Sequence, residues 1–188
     1  NKGREEIDKH IKEHEHDFII MGSHGAKGAK VIIGSNTQKV VRYSNQPVLV
    51  VREDHKKLKV KNIVFASNFE EDVHISFKKI IEFADLLGAS VHLLYVNTPF
   101  NFKETDEAET AIRKFLKTYP KDNCSINIYD ALNEERGIMK FSNKISADLI
   151  TMTTHGKTGF MQMISPSITE KIVNHSKLPV LSVNVNSK

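Results

Sequence analysis

The 188-residue sequence predicts an α/β fold, a doubly wound five-stranded parallel sheet plus a partial second copy of the same unit. Three observations lead there. From Lys61 onward, strand-sized apolar runs and amphipathic helical segments alternate five times, and right-handed crossovers then place helices on both faces of a parallel sheet. The stretch from Asp17 to Val41 recurs from Asp148: Asp17/Asp148, His24/His155, Gly25/Gly156 and Gly28/Gly159 lie 131 positions apart, and Ser35/Ser167, Thr37/Thr169, Lys39/Lys171, Ser44/Ser176 and Pro47/Pro179 lie 132 apart. The first copy is therefore one residue shorter inside its loop. In both copies an apolar strand runs through a glycine-rich turn into a helix, which lets backbone N–H groups converge on an anion at the positive end of the helix dipole.

Taken in order, residues 3–15 read as the end of a helix, with Ile7 and Ile11 at helical spacing. His10 and His14 share a face of it, but neither they nor His16 gain a cysteine or a third well-placed ligand, so they read as a polar surface. Asp17 to Met21 is a short buried strand, residues 35–45 a helix, and Pro47 to Val51 a strand entered through proline. The pattern S-x-x-[EQ] at Ser35 and Gln38, and at Ser167 and Glu170, marks capping boxes where the two helices start. Residues 1–52 thus form the back half of a domain, 53–60 a charged linker and 61–188 a complete domain.

The complete domain opens with the strand NIVFA after Lys61. A helix from Glu70 to Leu87 carries Ile75, Ile80, Ile81, Ala84 and Leu87 as its apolar stripe and stops at Gly88. Val91 to Val96 is the next strand, Asn97 to Asn101 a proline-containing loop, and 104–118 a helix bearing Ala108, Ala111, Ile112 and Phe115. Cys124 to Tyr129, Asp148 to Met152 and 179–185 are strands, and Asn133 to Ser146 and 167–176 are helices. The core expected from this pattern holds Ile63, Val64, Phe65, Leu93, Leu94, Leu149, Ile150, Val180 and Leu181.

Composition narrows the function. Net charge is +4, yet residues 1–57 hold 11 Lys and Arg against 8 Asp and Glu, so neither part is a basic module. Lys56, Lys57, Lys59 and Lys61 cluster at the linker without interleaved aromatics, and no nucleic-acid partner is expected. No apolar run approaches the roughly 20 residues of a spanning helix and no signal-peptide pattern opens the chain, so no membrane partner is expected either. The lone cysteine, Cys124, suits a reducing cytoplasm and reads as a buried, inert thiol.

Gly22-Ser23-His24-Gly25, a short spacer, Gly34-Ser35, a helix and then Gln46-Pro47-Val48-Leu49-Val50-Val51 resemble the C-terminal half of a universal stress protein domain. The resemblance covers nearly the whole chain. It implies an adenine nucleotide α-hydrolase-like sheet in the order 3-2-1-4-5, and a loop G-x-x-G-x9-G-[ST] that holds the ribose and phosphates of ATP in nucleotide-binding members. On this chain the implied binding residues are Gly22, Gly25, Gly34 and Ser35 in the first loop. In the complete domain they are Asn68 after the first strand, and Thr154, His155, Gly156 and Ser167 around the second loop. Both loops of the complete domain depart from the family pattern. Asn68 stands where binding members commonly carry an aspartate, Thr153 matches the family's first glycine, and Pro166, without an N–H to offer a phosphate, matches its last. The partial domain keeps its glycines but has a spacer one residue short and no first three strands.

Three function classes follow. The first is a cytoplasmic, dimerising universal stress protein with a degenerate nucleotide site, in which contacts to a protein partner matter more than catalysis. The second is an ATP-binding member with slow or no ATPase activity. The third is an adenine-nucleotide-dependent enzyme, whose usual S-G-G-x-D-S loop is not matched by Ser67-Asn68-Phe69-Glu70. No general base, nucleophile pair or metal cluster emerges, no cofactor is expected, and ATP is the ligand to test. Asp130, Glu134 and Glu135 read as acids favoured at a helix start, and His155 as a residue that orients its loop. In tandem members of the family the last strands pair across a pseudo-twofold axis. The resemblance therefore implies a homodimer or pseudo-dimer through Pro47–Val51 and Pro179–Val183, within the remnant of a longer tandem protein.

Overall fold

The computed structural model describes residues 9, 16–22, 34–51, 59–69, 73–119, 122–154 and 166–185. Seven strands form one sheet: β1 (Ile19–Gly22), β2 (Val48–Val51), β3 (Asn62–Ala66), β4 (Ser90–Asn97), β5 (Cys124–Asp130), β6 (Leu149–Thr154) and β7 (Val180–Asn184). Their spatial order is β1-β2-β7-β6-β3-β4-β5. All neighbours run parallel except β2 and β7, which are antiparallel. The strands of residues 61–188 therefore do not stand as a sheet of five, because β1 and β2 extend the same sheet beyond β7.

Five helices can be followed among the described residues: α1 (Ser35–Tyr43), α2 (His74–Leu87), α3 (Thr105–Leu116), α4 (Glu134–Lys144) and α5 (Pro166–His175). They cover both faces. Ile63, Phe65, Val91, Leu93, Leu149 and Leu181 meet Phe77, Ile80, Ile81 and Ala84 of α2 and Ile112 and Phe115 of α3. On the opposite face Val64, Leu94, Ile150, Met152 and Val180 meet Val40 and Val41 of α1, Ile138 and Phe141 of α4, and Ile172 and Val173 of α5. Burial on both faces is why these strands read as continuous apolar runs rather than alternating ones. Every residue of the expected core is 2% exposed or less.

Several local expectations are corrected. The apolar stripe of α2 is Phe77, Ile80, Ile81 and Ala84 together with Val73 just before it, whereas Ile75 is 58% exposed and Leu87 also faces out. The expected face holds at Ile80, Ile81 and Ala84 and fails at its two ends, because Phe77, not Ile75, falls four residues before Ile81. Gly34, not Ser35, occupies the N-cap of α1 and makes no side-chain cap bond, so Ser35 is the first helical residue. The second helix likewise holds Ser167 inside its described span, Pro166–His175, so Ser167 is not its cap. Cys124 is half-buried rather than buried, since β5 is an edge strand. His10, His14, Lys56, Lys57 and most of residues 3–15 lie outside the described residues.

Topology is tied at the amino ends of the strands. Asp148 Oδ2 accepts from the backbone N–H of Lys61 at 2.8 Å and of Asn62 at 2.9 Å, fixing the start of β3 beside β6. The same serine device ends α1 and α5: Ser44 Oγ accepts from the N–H of Gln46, and Ser176 Oγ from that of Leu178, each at 3.0 Å. These turns deliver the chain to Pro47 and Pro179, ahead of β2 and β7.

Candidate functional site

In a doubly wound sheet a ligand crevice opens at the carboxyl ends of the strands, where successive crossovers leave in opposite directions. Here β3 continues through α2 to β4 on one side, and β6 through α5 to β7 on the other, so the switch point lies between β3 and β6. Ala66 pairs with Met152. Asn68 follows the end of β3 by two residues and Thr154 is the last residue of β6, so both belong to the carboxyl-end side of these neighbouring strands. Asn68 is half-buried, and Thr154 is buried with its Oγ1 lacking a hydrogen-bond partner.

The loop after β3 is folded back on itself. Ser67 Oγ accepts from the backbone N–H of Phe69 at 3.0 Å, and Ser67 donates its own N–H to the Leu94 carbonyl at 3.2 Å. Phe69 takes φ 59°, a left-handed conformation that costs a non-glycine residue roughly 1–2 kcal/mol. Its buried ring offsets that cost, packing edge-on to Phe65 at 5.8 Å and to Phe115 at 5.4 Å. The turn is thus committed to the core, with Asn68 at its apex.

Of the other residues nominated from sequence, Ser167 is the second residue of α5, directly after Pro166. Gly25, His155 and Gly156 lie outside the described residues. Gly22, Gly34 and Ser35 are brought together at the opposite end of the sheet, because β1 and β2 run against β7. There Thr37 Oγ1 donates to the Gly22 carbonyl at 3.4 Å, closing the first turn of α1 onto the end of β1. A Cβ at Gly22 would meet nothing within 4 Å among the described residues, so packing does not account for that glycine. In the second copy the equivalent Thr169 is buried, with its Oγ1 unpartnered.

Among the described residues no group of three or more His, Cys, Asp and Glu is placed to hold a metal, and no helix is long and apolar enough to cross a membrane. The pKa of His92 is lowered by burial, and the residue lies on β4, towards its amino end and away from the crevice. Sequence reasoning missed a cleft of about 570 Å³ at the carboxyl ends of β4 and β5, lined in part by Lys103, Arg136 and Lys140. The i, i+4 spacing of Arg136 and Lys140 on an amphipathic helix was its only signal.

A seven-stranded, doubly wound sheet with a switch-point crevice beside a strand-to-helix loop defines an α/β protein of the nucleotide-fold class. The chain belongs to the universal stress protein family, which it matches over residues 1–52 and 59–184. It is 24% identical over 172 residues to a universal stress protein of Synechocystis sp., an alignment that covers 88% of this chain and 57% of that protein. A universal stress protein of Methanocaldococcus jannaschii is 49% identical over 49 residues, 26% of this chain and 30% of that one. The crystal structure of a universal stress protein from Archaeoglobus fulgidus shares the fold at a TM-score of 0.72 and 22% identity, covering 97% of this chain and 66% of that chain. The chain thus spans 57% of the cyanobacterial relative and 66% of the archaeal structure.

Proposed function

We propose that the chain is a cytoplasmic stress-response module that acts through protein contacts, with a degenerate nucleotide site and no catalysis of its own. One observation carries this reading: the loop after β3 spends Ser67 and Phe69 on its own turn and on the core, and offers the crevice an uncharged Asn68. Pro166 supports it, since a proline in α5 has no N–H to contribute to an anion cradle. One lost charge-assisted hydrogen bond, roughly 1.5–3 kcal/mol, corresponds to about one to two orders of magnitude in affinity.

On this reading residues 1–52 are the C-terminal half of one domain, 53–60 a linker and 61–188 a second, complete domain of a tandem protein. The antiparallel β2/β7 pair acts as a pseudo-dimer contact inside the chain. Among the described residues β1 lies at the edge of the sheet with Ile20 exposed, a place for a second chain to add. Light scattering at tens of micromolar is expected to find a dimer, and a monomer counts against recruitment at this edge.

A second reading, an ATP-binding member, is favoured by the buried hydroxyls of Thr154, at the carboxyl end of β6, and Thr169, on α5, neither of which has a hydrogen-bond partner among the described residues. Titration calorimetry with ATP and magnesium separates the two. The expected result is no saturable binding in the micromolar range, with binding gained in an Asn68→Asp, Pro166→Gly variant. Thr153 is left in place because its side chain is buried in β6 opposite Val183. Micromolar binding by the unaltered chain establishes the second reading instead.

A further inference from the structure

The cleft at the carboxyl ends of β4 and β5 takes none of its lining residues from β6 or α5. Its floor is polar and ordered: Asn97 Nδ2 donates to Asp130 Oδ1 at 2.9 Å, and Asn97 Oδ1 accepts from the Lys103 N–H at 2.9 Å, which pins the loop after β4 across the end of β5. One wall is cationic. Arg136 and Lys140, one turn apart on the exposed face of α4, both line it, and neither side chain has a partner among the described residues. Lys103 lines it from the loop, its Nζ 5.5 Å from the centre of the Tyr95 ring. Asp130 is the only carboxylate among the lining residues, so three cations face one acid. The rim is apolar, with Phe102 69% and Leu132 66% exposed, and Phe100, close by on the same loop, is 93% exposed. Large apolar groups held in water beside unpaired cations are costly to keep exposed and suit an amphipathic ligand. The volume of about 570 Å³ lies in the range of small-molecule sites.

We propose that this cleft binds a small organic dianion, a phosphate monoester carrying an apolar group. The phosphate is held between Arg136 and Lys140, and the apolar group lies against Phe102 and Leu132. Arginine's planar fork matches phosphate oxygens in pairs, and Lys140 adds a point charge one turn further along the helix. Asp130, tied to Asn97, sets the net charge of the lining at two positive, which matches a dianion.

The test is a titration of the whole chain with 1-naphthyl phosphate, followed by ¹H–¹⁵N correlation spectra. Saturable shifts are expected for amides of residues 97–105 and 130–140. Affinity is expected to fall at least tenfold in the Arg136→Gln, Lys140→Gln variant, and independently in Lys103→Gln. Inorganic phosphate and benzyl alcohol, which each lack one half of the ligand, are expected to bind at least tenfold more weakly. Both helix positions are exposed and unpartnered, so their substitution leaves the core untouched. Shifts confined to 166–173, shifts that do not saturate, unchanged affinity in these variants, or phosphate alone binding as tightly as the ester would each overturn the proposal.

Discussion

His92 is half-buried in β4 with both ring nitrogens engaged, Nδ1 at 2.8 Å from Ser125 Oγ and Nε2 at 3.2 Å from Asn62 Oδ1. Asn62 Oδ1 can only accept, so the single proton of the neutral ring sits on Nε2 and Nδ1 accepts from Ser125 Oγ, which itself accepts from Asn127 Nδ2 at 3.0 Å. A second ring proton would displace the serine donor, and burial lowers the His92 pKa below its ordinary 6.5. The unfolded chain therefore binds a proton that the folded chain refuses. The stability from this site is full above about pH 6.5 and is lost as the pH falls through that value towards the folded pKa. Urea midpoints measured from pH 7.5 to 5.5 are expected to fall less in His92→Gln, which keeps one donor and one acceptor; an unchanged slope assigns the dependence to other groups. None of this network was legible in the sequence, because its members lie on three strands and meet only through sheet order. Asp148 is a half-legible case. The repeat marked it, but its bonds to Lys61 and Asn62 depend on β6 lying beside β3.

At the scale of elements, the sequence pattern located helices well and their edges less well. Ala108, Ile112 and Phe115 of α3 are buried as their spacing requires, and Gly88 ends α2 in a left-handed conformation at φ 61°. The ends of the α2 stripe and the cap of α1 escaped, since hydrophobic period fixes a face only to within a residue and Gly34 takes the cap position beside Ser35. Helix α4 shows why close approach matters for the cleft. A Cβ at Gly137 would collide with Val96 Cγ1 and lie 3.1 Å from the Ala131 Cβ, so glycine lets α4 sit down on β4. Gly137→Ala gains about 1 kcal/mol in helix propensity but overpacks this contact by roughly 1–3 kcal/mol, and Val cannot swing clear as a flexible chain would. A lower melting temperature is expected for Gly137→Ala, with partial recovery when Val96→Ala is added. A melting temperature that rises in the single variant shows that the contact yields.

For the molecule as a whole, the repeat in the sequence and the register of the sheet describe the same symmetry. Val48 and Val180, Leu49 and Leu181, and Val50 and Ser182 are equivalent residues 132 apart. In the antiparallel pair Val48 meets Ser182, Val50 meets Val180, and Leu49 meets its own counterpart Leu181. That exchange of partners is the mark of an isologous contact about a twofold axis, here passing between Leu49 and Leu181. Val40 and Val41 of α1 share a core with their counterparts Ile172 and Val173 of α5, so the axis is packed as well as hydrogen-bonded. It also explains why the candidate site was only partly legible. The glycines of the first copy keep the family pattern but belong to the partial unit, and the antiparallel axis sends Gly22 and Gly34 to the far end of the sheet from Asn68 and Thr154. If the two units fold as one body, the buried pair on the axis should be energetically coupled. Leu49→Ala and Leu181→Ala are each expected to cost about 2–5 kcal/mol, lowering a single urea transition seen alike by circular dichroism and tyrosine fluorescence. The double variant is expected to cost less than the two together by about 0.5 kcal/mol or more, because each truncation removes the other's partner. Costs that add to within about 0.3 kcal/mol, or a Leu49→Ala chain that loses an early, separate transition, would mean that the β2/β7 pair joins two bodies that unfold independently.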